Sequence, residues 1–220
     1  MRARFVGVVL VSLWLAAPAL ACHNAVAIRL DALVRRLDEA DRTLLSGRTR
    51  EAMRGATWAL RVLDGRSHDY DLYLEGRAAE RRARALRERA QVILAVAVAR
   101  RDGHVDRRRW VPQRVDGDTR ARNLAWARSV LEPRATDPVG KARYAEVLAR
   151  APETRAEALR ILTTLEEQDL VPDAWAHRLL AELSDERGDR ARRDRAVLAC
   201  QARAGRLAST ICPRLIVASR

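Results

Sequence analysis

Two pairs of glutamates are the residues best suited, by type and spacing, to acid–base chemistry. Glu182 and Glu186 are four residues apart, which places them on one face of a helix, and Glu166 and Glu167 are adjacent. Two carboxylates can act as general acid and base only in a cleft. Arg178 lies one turn before Glu182, so a surface ion pair explains the pattern better. We therefore expect no catalysis, and retain a helical cell-wall hydrolase only if Glu182 or Glu186 is buried in a cleft.

The other residue types that carry chemistry are scattered. None of the four histidines lies three or four residues from another histidine or a cysteine: His23, His68, His104 and His177. Metal-binding motifs use such short spacings. No serine lies in a nucleophile elbow, and no glycine-rich loop follows a strand to hold phosphate. The sequence therefore predicts no metal site and no cofactor.

The first residues predict export. A basic head precedes an apolar run from Phe5 to Ala17, and small residues then lead to Ala21 and Cys22. This order is typical of a secretory signal peptide. The apolar run is shorter than the roughly 20 residues that cross a bilayer. We expect residues 1–21 to be removed and the mature chain to lie in the bacterial periplasm or to be lipid-anchored in the envelope.

Cleavage after Ala21 fits two kinds of peptidase. A general signal peptidase would leave Cys22 with a free thiol, whereas a lipoprotein peptidase would leave it with an attached diacylglycerol. Lipoprotein signals usually carry leucine three residues before the cysteine and a small residue two residues before it. Here Ala19 and Leu20 occupy these two positions in the opposite order. Lipidation of Cys22 therefore stays one of two alternatives, and it is the only membrane attachment that we expect.

The remaining cysteines, Cys200 and Cys212, suit a disulfide. An odd thiol in an oxidising compartment needs an explanation, and acylation of Cys22 would leave these two as a pair. A bond between them would close a loop of about a dozen residues and stabilise the fold by about 3 kcal/mol. The alternative is a pair of buried free thiols.

Positive charge is concentrated in one stretch of the chain. The formal net charge is +13, and residues 75–109 contain eleven arginines and five acidic residues. The stretch could face an anionic lipid, an anionic glycan or an acidic protein. A solvated helix face with arginine stems over apolar neighbours explains it better. Nucleic acid is not an expected partner, because the chain is exported and the stretch lacks interleaved aromatic residues.

The mature chain is predicted to be all-α. Ala, Leu, Arg and Glu dominate, and Gly and Pro fall between the periodic segments. Val92 to Ala99 is entirely small or apolar and predicts a helix buried on all sides. We expect a helical domain over 22–205 and an irregular tail over 206–220. The predicted helices cover about Ala27–Leu45, Thr49–Leu63, Tyr70–Arg101, Thr119–Leu131, Val139–Arg150, Pro152–Gln168, Pro172–Arg187 and Arg190–Ala204.

Small residues recur around two of the turn glycines. Ala40 lies seven residues before Gly47, and Ala52 and Ala59 lie five and twelve residues after it. In the same way, Ala181 lies seven residues before Gly188 and Cys200 lies twelve residues after it. This spacing resembles the tetratricopeptide repeat (TPR). The resemblance implies helical hairpins that stack into a short, irregular solenoid of about eight helices. A helical bundle without repeats is the alternative.

The chain is also similar to uncharacterised exported bacterial proteins of this repeat type. They combine a cysteine at the cleavage site, a Glu-Ala-Leu helix (here Glu157–Leu159) and a late cysteine pair. This likeness implies a fold and a location, but no activity. Some peptide-binding members of the TPR family hold a carboxylate with Lys and Asn, and those residues are missing at the matching positions of this chain. The four tryptophans of the helical domain are expected mainly in the core: Trp58, Trp110, Trp126 and Trp175.

These observations favour a scaffold without enzymatic activity. We expect it to bind an unknown protein or peptide in the bacterial envelope, on a concave helical surface. The second hypothesis is an electrostatic binder of an anionic lipid or glycan through the arginine-rich stretch 75–109.

Overall fold

The computed structural model describes residues 26–66, 70–72, 76–105 and 119–213. Ala21 and Cys22, which flank the predicted cleavage site, and also Trp110 lie outside these ranges. Within them the chain is helical apart from two three-residue strands. The helices are α1 Leu30–Leu45, α2 Thr49–Leu63, α3 Gly76–Arg100, α4 Thr119–Leu131, α5 Pro138–Leu148, α6 Arg155–Glu167, α7 Ala174–Glu186, α8 Arg190–Ala204 and the single turn α9 Ala208–Ile211.

The sequence placed most helix ends correctly, but it missed the strands. The helices α2, α4 and α8 begin and end where the periodicity indicated. In contrast, the predicted starts of the first and third helices are wrong. Val26–Ile28 forms strand β1 and pairs in parallel with β2, Tyr70–Leu72. The two strands contain β-branched and aromatic residues, which favour extended backbone.

Two further predictions at helix ends need correction. The tail from 206 is not irregular at its start, because Gly205–Leu207 forms a 3₁₀ turn that leads directly into α9. Pro172 is not the first residue of α7. The Asp173 side chain accepts a hydrogen bond from the backbone N–H of Ala176, and this N-cap fixes the start of α7.

Helix α3 forms the centre of the fold. It contacts α1, α2, α4 and α5. Every side chain from Ile93 to Ala99 is at most 1 % exposed, because these four helices surround the second half of α3. The predicted all-round burial is thereby confirmed from Ile93 to Ala99, whereas Val92 is only partly buried.

The helices pack as successive hairpins. The pairs α1/α2, α3/α4, α5/α6 and α7/α8 each form an extensive contact. The first helices of the hairpins also touch in series, α1 with α3, α3 with α5, and α5 with α7. The described part of the chain is therefore an array of four helical hairpins in which neighbouring hairpins share an interface.

The turn and packing residues of the first and last hairpins lie where close approach is needed. Gly47 and Gly188 have φ values of +83° and +73°, a conformation that glycine adopts without strain. The small residues that accompany them are buried: Ala40, Ala52, Ala59, Ala181 and Cys200. A Cβ atom at Gly55 would lie 3.0 Å from the Cβ of Ala40, so α1 and α2 are in close contact at this point.

Candidate functional site

The most buried ion pair joins two hairpins. The Arg100 guanidinium, at the end of α3, donates to both carboxylate oxygens of Glu146 in α5, at 2.6 and 2.9 Å. Their side chains are only 3 % and 4 % exposed. The same guanidinium donates to the backbone oxygen of Leu44 at 2.7 Å. Arg100 therefore fixes the ends of α1, α3 and α5 relative to one another.

Trp175 connects the first hairpin to the last. Its ring lies under the Arg100 guanidinium, with 4.3 Å between the guanidinium carbon and the ring centroid. Its indole N–H donates to the backbone oxygen of Leu45 at 3.1 Å. A Cβ atom at Gly47 would lie 3.4 Å from the same ring. The tryptophan expected in the core is instead a half-buried bridge from α7 to the α1/α2 turn.

A disulfide holds α9 against α8. Cys200 and Cys212 are bonded, and the Cys200 side chain lies with Ile211 in a small apolar cluster. The backbone oxygen of Ile211 accepts a hydrogen bond from Arg178 at 3.2 Å, and this guanidinium also lies beside the Trp175 ring. The start of the tail is therefore part of the packed array.

The candidate carboxylates form surface ion pairs. Arg178 donates to Glu182 at 2.7 Å, as the spacing indicated, and both side chains are 35 % exposed. Glu186 is exposed and pairs with Arg155 at 3.1 Å. Since neither glutamate is buried in a cleft, the condition for retaining the hydrolase alternative is not met at these residues.

His177 is the most perturbed titratable group that the structure describes. It is 8 % exposed, and neither ring nitrogen has a hydrogen-bond partner among the described residues. Burial and, to a smaller extent, the charge of Arg203 lower the pKa of His177 to about 4, and the charge of Asp169 opposes the shift. The imidazole is therefore neutral near pH 7. The charged groups that act on the ring are Arg203 in α8 and Asp169 in the turn after α6.

The α4/α5 cleft is an open depression of about 290 Å³ between α4 and the turn that follows α5. Its floor includes the buried side chains of Leu124, Val147 and Leu148. Arg120 and Arg128 lie on its rim. Arg120 also pairs with Asp102 at 2.7 Å and holds the pKa of that carboxyl below its ordinary value. The cleft thus combines an apolar floor with two basic groups and one acidic group, Glu153, in its lining.

The α5/α6 cleft, of about 270 Å³, lies between α5 and α6. Its apolar part is formed by Ala135, Ile161 and Leu165, and its charged groups are Lys141 and Arg160. Neither cation forms an ion pair with a residue that the structure describes. No acidic side chain is among the residues that line this cleft.

Arg128 and Tyr144 connect the two clefts. Arg128 lines the α4/α5 cleft, Tyr144 lines the α5/α6 cleft, and the positive charge of Arg128 acts on the Tyr144 phenol and lowers its pKa. The Tyr144 hydroxyl also donates to Glu132 at 3.4 Å. Burial raises the pKa of the Tyr144 phenol, which keeps it neutral. The two clefts are therefore neighbouring parts of one surface formed by α4, α5 and α6.

A third cleft, between α1 and α2, differs in charge. It has a volume of about 240 Å³, and its rim carries both signs: Arg36, Glu39, Glu51 and Arg54. Arg36 pairs with Glu39 at 2.9 Å. Because its charges compensate one another, this cleft does not offer the uncompensated cations of the α5/α6 cleft.

The arginine-rich stretch separates into paired and unpaired side chains. Most paired arginines contact acids of the first hairpin: Arg82 with Asp31, Arg87 with Asp64, and Arg89 with Asp38 and Asp41. Arg77, Arg81 and Arg84 are exposed and form no ion pair with a described residue. The expected solvated face therefore exists, but many of its arginines hold hairpins together.

The central contacts were not found from the sequence. Arg100 directly follows the apolar run Val92 to Ala99, and Glu146 is followed by three small or apolar residues up to Ala149. Since a charge beside a buried apolar segment needs a partner, these positions were the available signal.

Two further findings concern only the residues that the structure describes. None of the helices combines the length and apolar character needed to cross a membrane. No group of three or more His, Cys, Asp or Glu side chains among these residues could hold a metal ion. No protein-family model matches the chain, and no curated protein or solved structure matches it.

Proposed function

We propose that this chain is an exported helical scaffold that binds a protein or peptide partner in the bacterial envelope, without catalysis. The observation that carries the proposal is the pair of adjoining clefts on α4, α5 and α6, which combine apolar floors with cations. The partner that fits is an acidic segment with exposed apolar side chains. Its apolar groups would cover Leu124 and Ile161, and its carboxylates would meet Lys141 and Arg160.

A TPR-like stack is the proposed architecture of this scaffold. In such a stack the first helix of each hairpin packs on the first helix of the next, and contacts of α1 with α3, α3 with α5, and α5 with α7 support that order. The buried small residues around Gly47 and Gly188 also support it. The irregular spacing of the turns along the chain is the feature least typical of the family.

The proposed binding surface differs from the concave surface expected at first. The first helices of the hairpins would line that concave side, but Arg100, Glu146 and Trp175 occupy the region where these helices meet. Displacing them would expose a buried ion pair, at high free-energy cost. The open clefts on α4 to α6 need no such rearrangement.

Site-specific photo-crosslinking in cells tests the proposal. A photoreactive residue at Ala125 or at Thr164 lies in one of the two clefts, and at Ala202 it lies on the exposed face of α8. We expect one discrete adduct from the two cleft positions and none from position 202. Equal adducts at all three positions, or no adduct at either cleft position, would contradict the proposal.

Reversing the charge of the cleft cations tests whether they recognise the partner. K141E/R160E changes the two uncompensated cations of the α5/α6 cleft. R35E/R50E changes two exposed arginines of the first hairpin that form no ion pair with a described residue. We expect only K141E/R160E to abolish the adduct at Thr164. An adduct that both double variants leave unchanged would show that the cations of this cleft do not recognise the partner.

An anionic component of the envelope is the second candidate ligand. The specific observation in its favour is the set of three exposed arginines in the first half of α3: Arg77, Arg81 and Arg84. This surface is separate from the α4 to α6 clefts, so both functions could reside in one molecule.

A further inference from the structure

Arg77, Arg81 and Arg84 form one row on the side of α3 that faces away from the protein. The spacing of four and three residues places them on one helix face. At 3.6 residues per turn, this face is opposite to the one that buries Ala83, Leu86 and Ala90. We call Arg77, Arg81 and Arg84 the arginine row. Two glutamates accompany it: Glu80 lies beside the row and Glu88 lies at its end.

The arginine row lies on a part of α3 that extends beyond its hairpin partner. Helix α3 has 25 residues and α4 has 13, which correspond to about 37 Å and about 20 Å. Asn123, near the start of α4, donates to the backbone oxygen of Gly103 just after α3 ends. Since α4 runs back along α3 from this point, it covers the second half of α3 but not the outward side of the first half.

The start of the described chain lies at the same end of the molecule. Asp31, in the first turn of α1, pairs with Arg82 at 2.8 Å. Strand β1 pairs with β2, which is four residues from the start of α3 along the chain. Cys22 is four residues before β1, a reach of at most about 14 Å. Whatever attaches to Cys22 is therefore held near the end of the molecule that carries the arginine row.

We infer that the arginine row binds the head groups of anionic phospholipids and thereby orients the molecule on a membrane surface. The inference rests on the proposed export and on the second candidate ligand. Unpaired guanidinium groups bind phosphate oxygens well, and basic residues at a membrane surface add to the effect of a lipid anchor. In this orientation the outward side of the first half of α3 faces the membrane.

Vesicle binding of the C22S protein tests the inference without help from an acyl chain. We expect binding to phosphatidylglycerol vesicles, no binding to phosphatidylcholine vesicles, and weaker binding as salt is raised. R77E/R81E/R84E should weaken binding by roughly a hundredfold. R187E/R190E/R206E makes the same charge change at exposed arginines near the ends of α8 and should have a much smaller effect.

Two results would overturn the inference. One is an equal loss of binding in both triple variants, which would mean that net charge alone matters. The other is the absence of binding by the processed wild-type protein. The intact mass of the same preparation separates this second result from a failure of the proposed export, because unprocessed protein would still contain residues 1–21.

A label on a single added cysteine tests the orientation. Ala85 lies on the exposed side of α3 and Ala202 on α8, and Cys200 and Cys212 are already bonded. In C22S protein bound to phosphatidylglycerol vesicles, a fluorophore at A85C should be protected from a soluble quencher, and one at A202C should not. Equal protection at both positions would contradict the proposed orientation.

Discussion

Arg100 shows how one buried charge can hold several helices. Removing a guanidinium from water is costly, and here three groups compensate for it: the Glu146 carboxylate, the Leu44 carbonyl and the Trp175 ring. The compensation holds only while the ends of α1, α3, α5 and the start of α7 remain together. Arg100 therefore makes the relative position of the hairpins depend on one side chain.

Replacing Arg100 with methionine should strongly destabilise the fold. R100M leaves the Glu146 carboxylate buried without its partner, which costs about 3–5 kcal/mol. Urea unfolding followed by circular dichroism measures the loss. R82M, which removes an ion pair at the surface with Asp31, should stay within about 1 kcal/mol of wild type. If the two variants lose equal stability, the pair with Glu146 does not have this role. R100M/E146M should recover part of the loss.

His177 should make stability depend on pH in a defined window. The folded-state pKa is about 4, below the ordinary value of 6.5. As the pH falls from 6.5 to 4, the unfolded chain binds a proton that the folded chain does not bind, so stability decreases by up to about 3 kcal/mol. Above pH 6.5 the residue contributes no pH dependence, and below pH 4 its contribution levels off.

Comparing H177L with H104L isolates this effect. His104 is exposed, so H104L should keep the wild-type dependence of unfolding free energy on pH between 6.5 and 4. H177L should reduce the slope in that window. A slope that is the same in H177L and in wild type would contradict the buried, neutral state of His177.

At the scale of the helical elements, close packing of the first hairpin depends on small side chains. Ala40 is 2 % exposed and faces Gly55 across the α1/α2 contact. A40L adds three carbon atoms to this contact and should destabilise the protein by about 1–3 kcal/mol. A85L makes the same change on an exposed side of α3 and should be nearly neutral. Thermal unfolding compares them, and a neutral A40L would disprove the close contact.

The sequence predicted elements better than contacts between them. The small and apolar run from Val92 to Ala99 and the turn at Gly47 are local signals, and they located a buried helix and a hairpin turn correctly. Strands β1 and β2 were missed because three-residue segments stabilise each other only when paired, across more than forty residues of chain. The clefts beside α5 were missed for the same reason, since Lys141 and Arg160 are close only after α5 and α6 pack.

At the scale of the whole molecule, the array of hairpins has two different ends. The first half of α3, with the arginine row, lies beside the start of α1. The second half of α3 is surrounded by other helices and ends at Arg100, which contacts α5. In our account, the first end faces a membrane surface and the surface on α4 to α6 receives a protein partner. We propose that the protein performs both roles in the bacterial envelope, which requires that the chain leaves the cytoplasm.

The intact mass of the protein, isolated from the envelope of cells that export it, tests this requirement most directly. We expect a species that begins at Cys22, with or without a diacylglycerol on its thiol. Its mass should be lower by two hydrogens, because Cys200 and Cys212 are bonded. A species with the mass of residues 1–220, recovered from the cytoplasm, would contradict the proposed export.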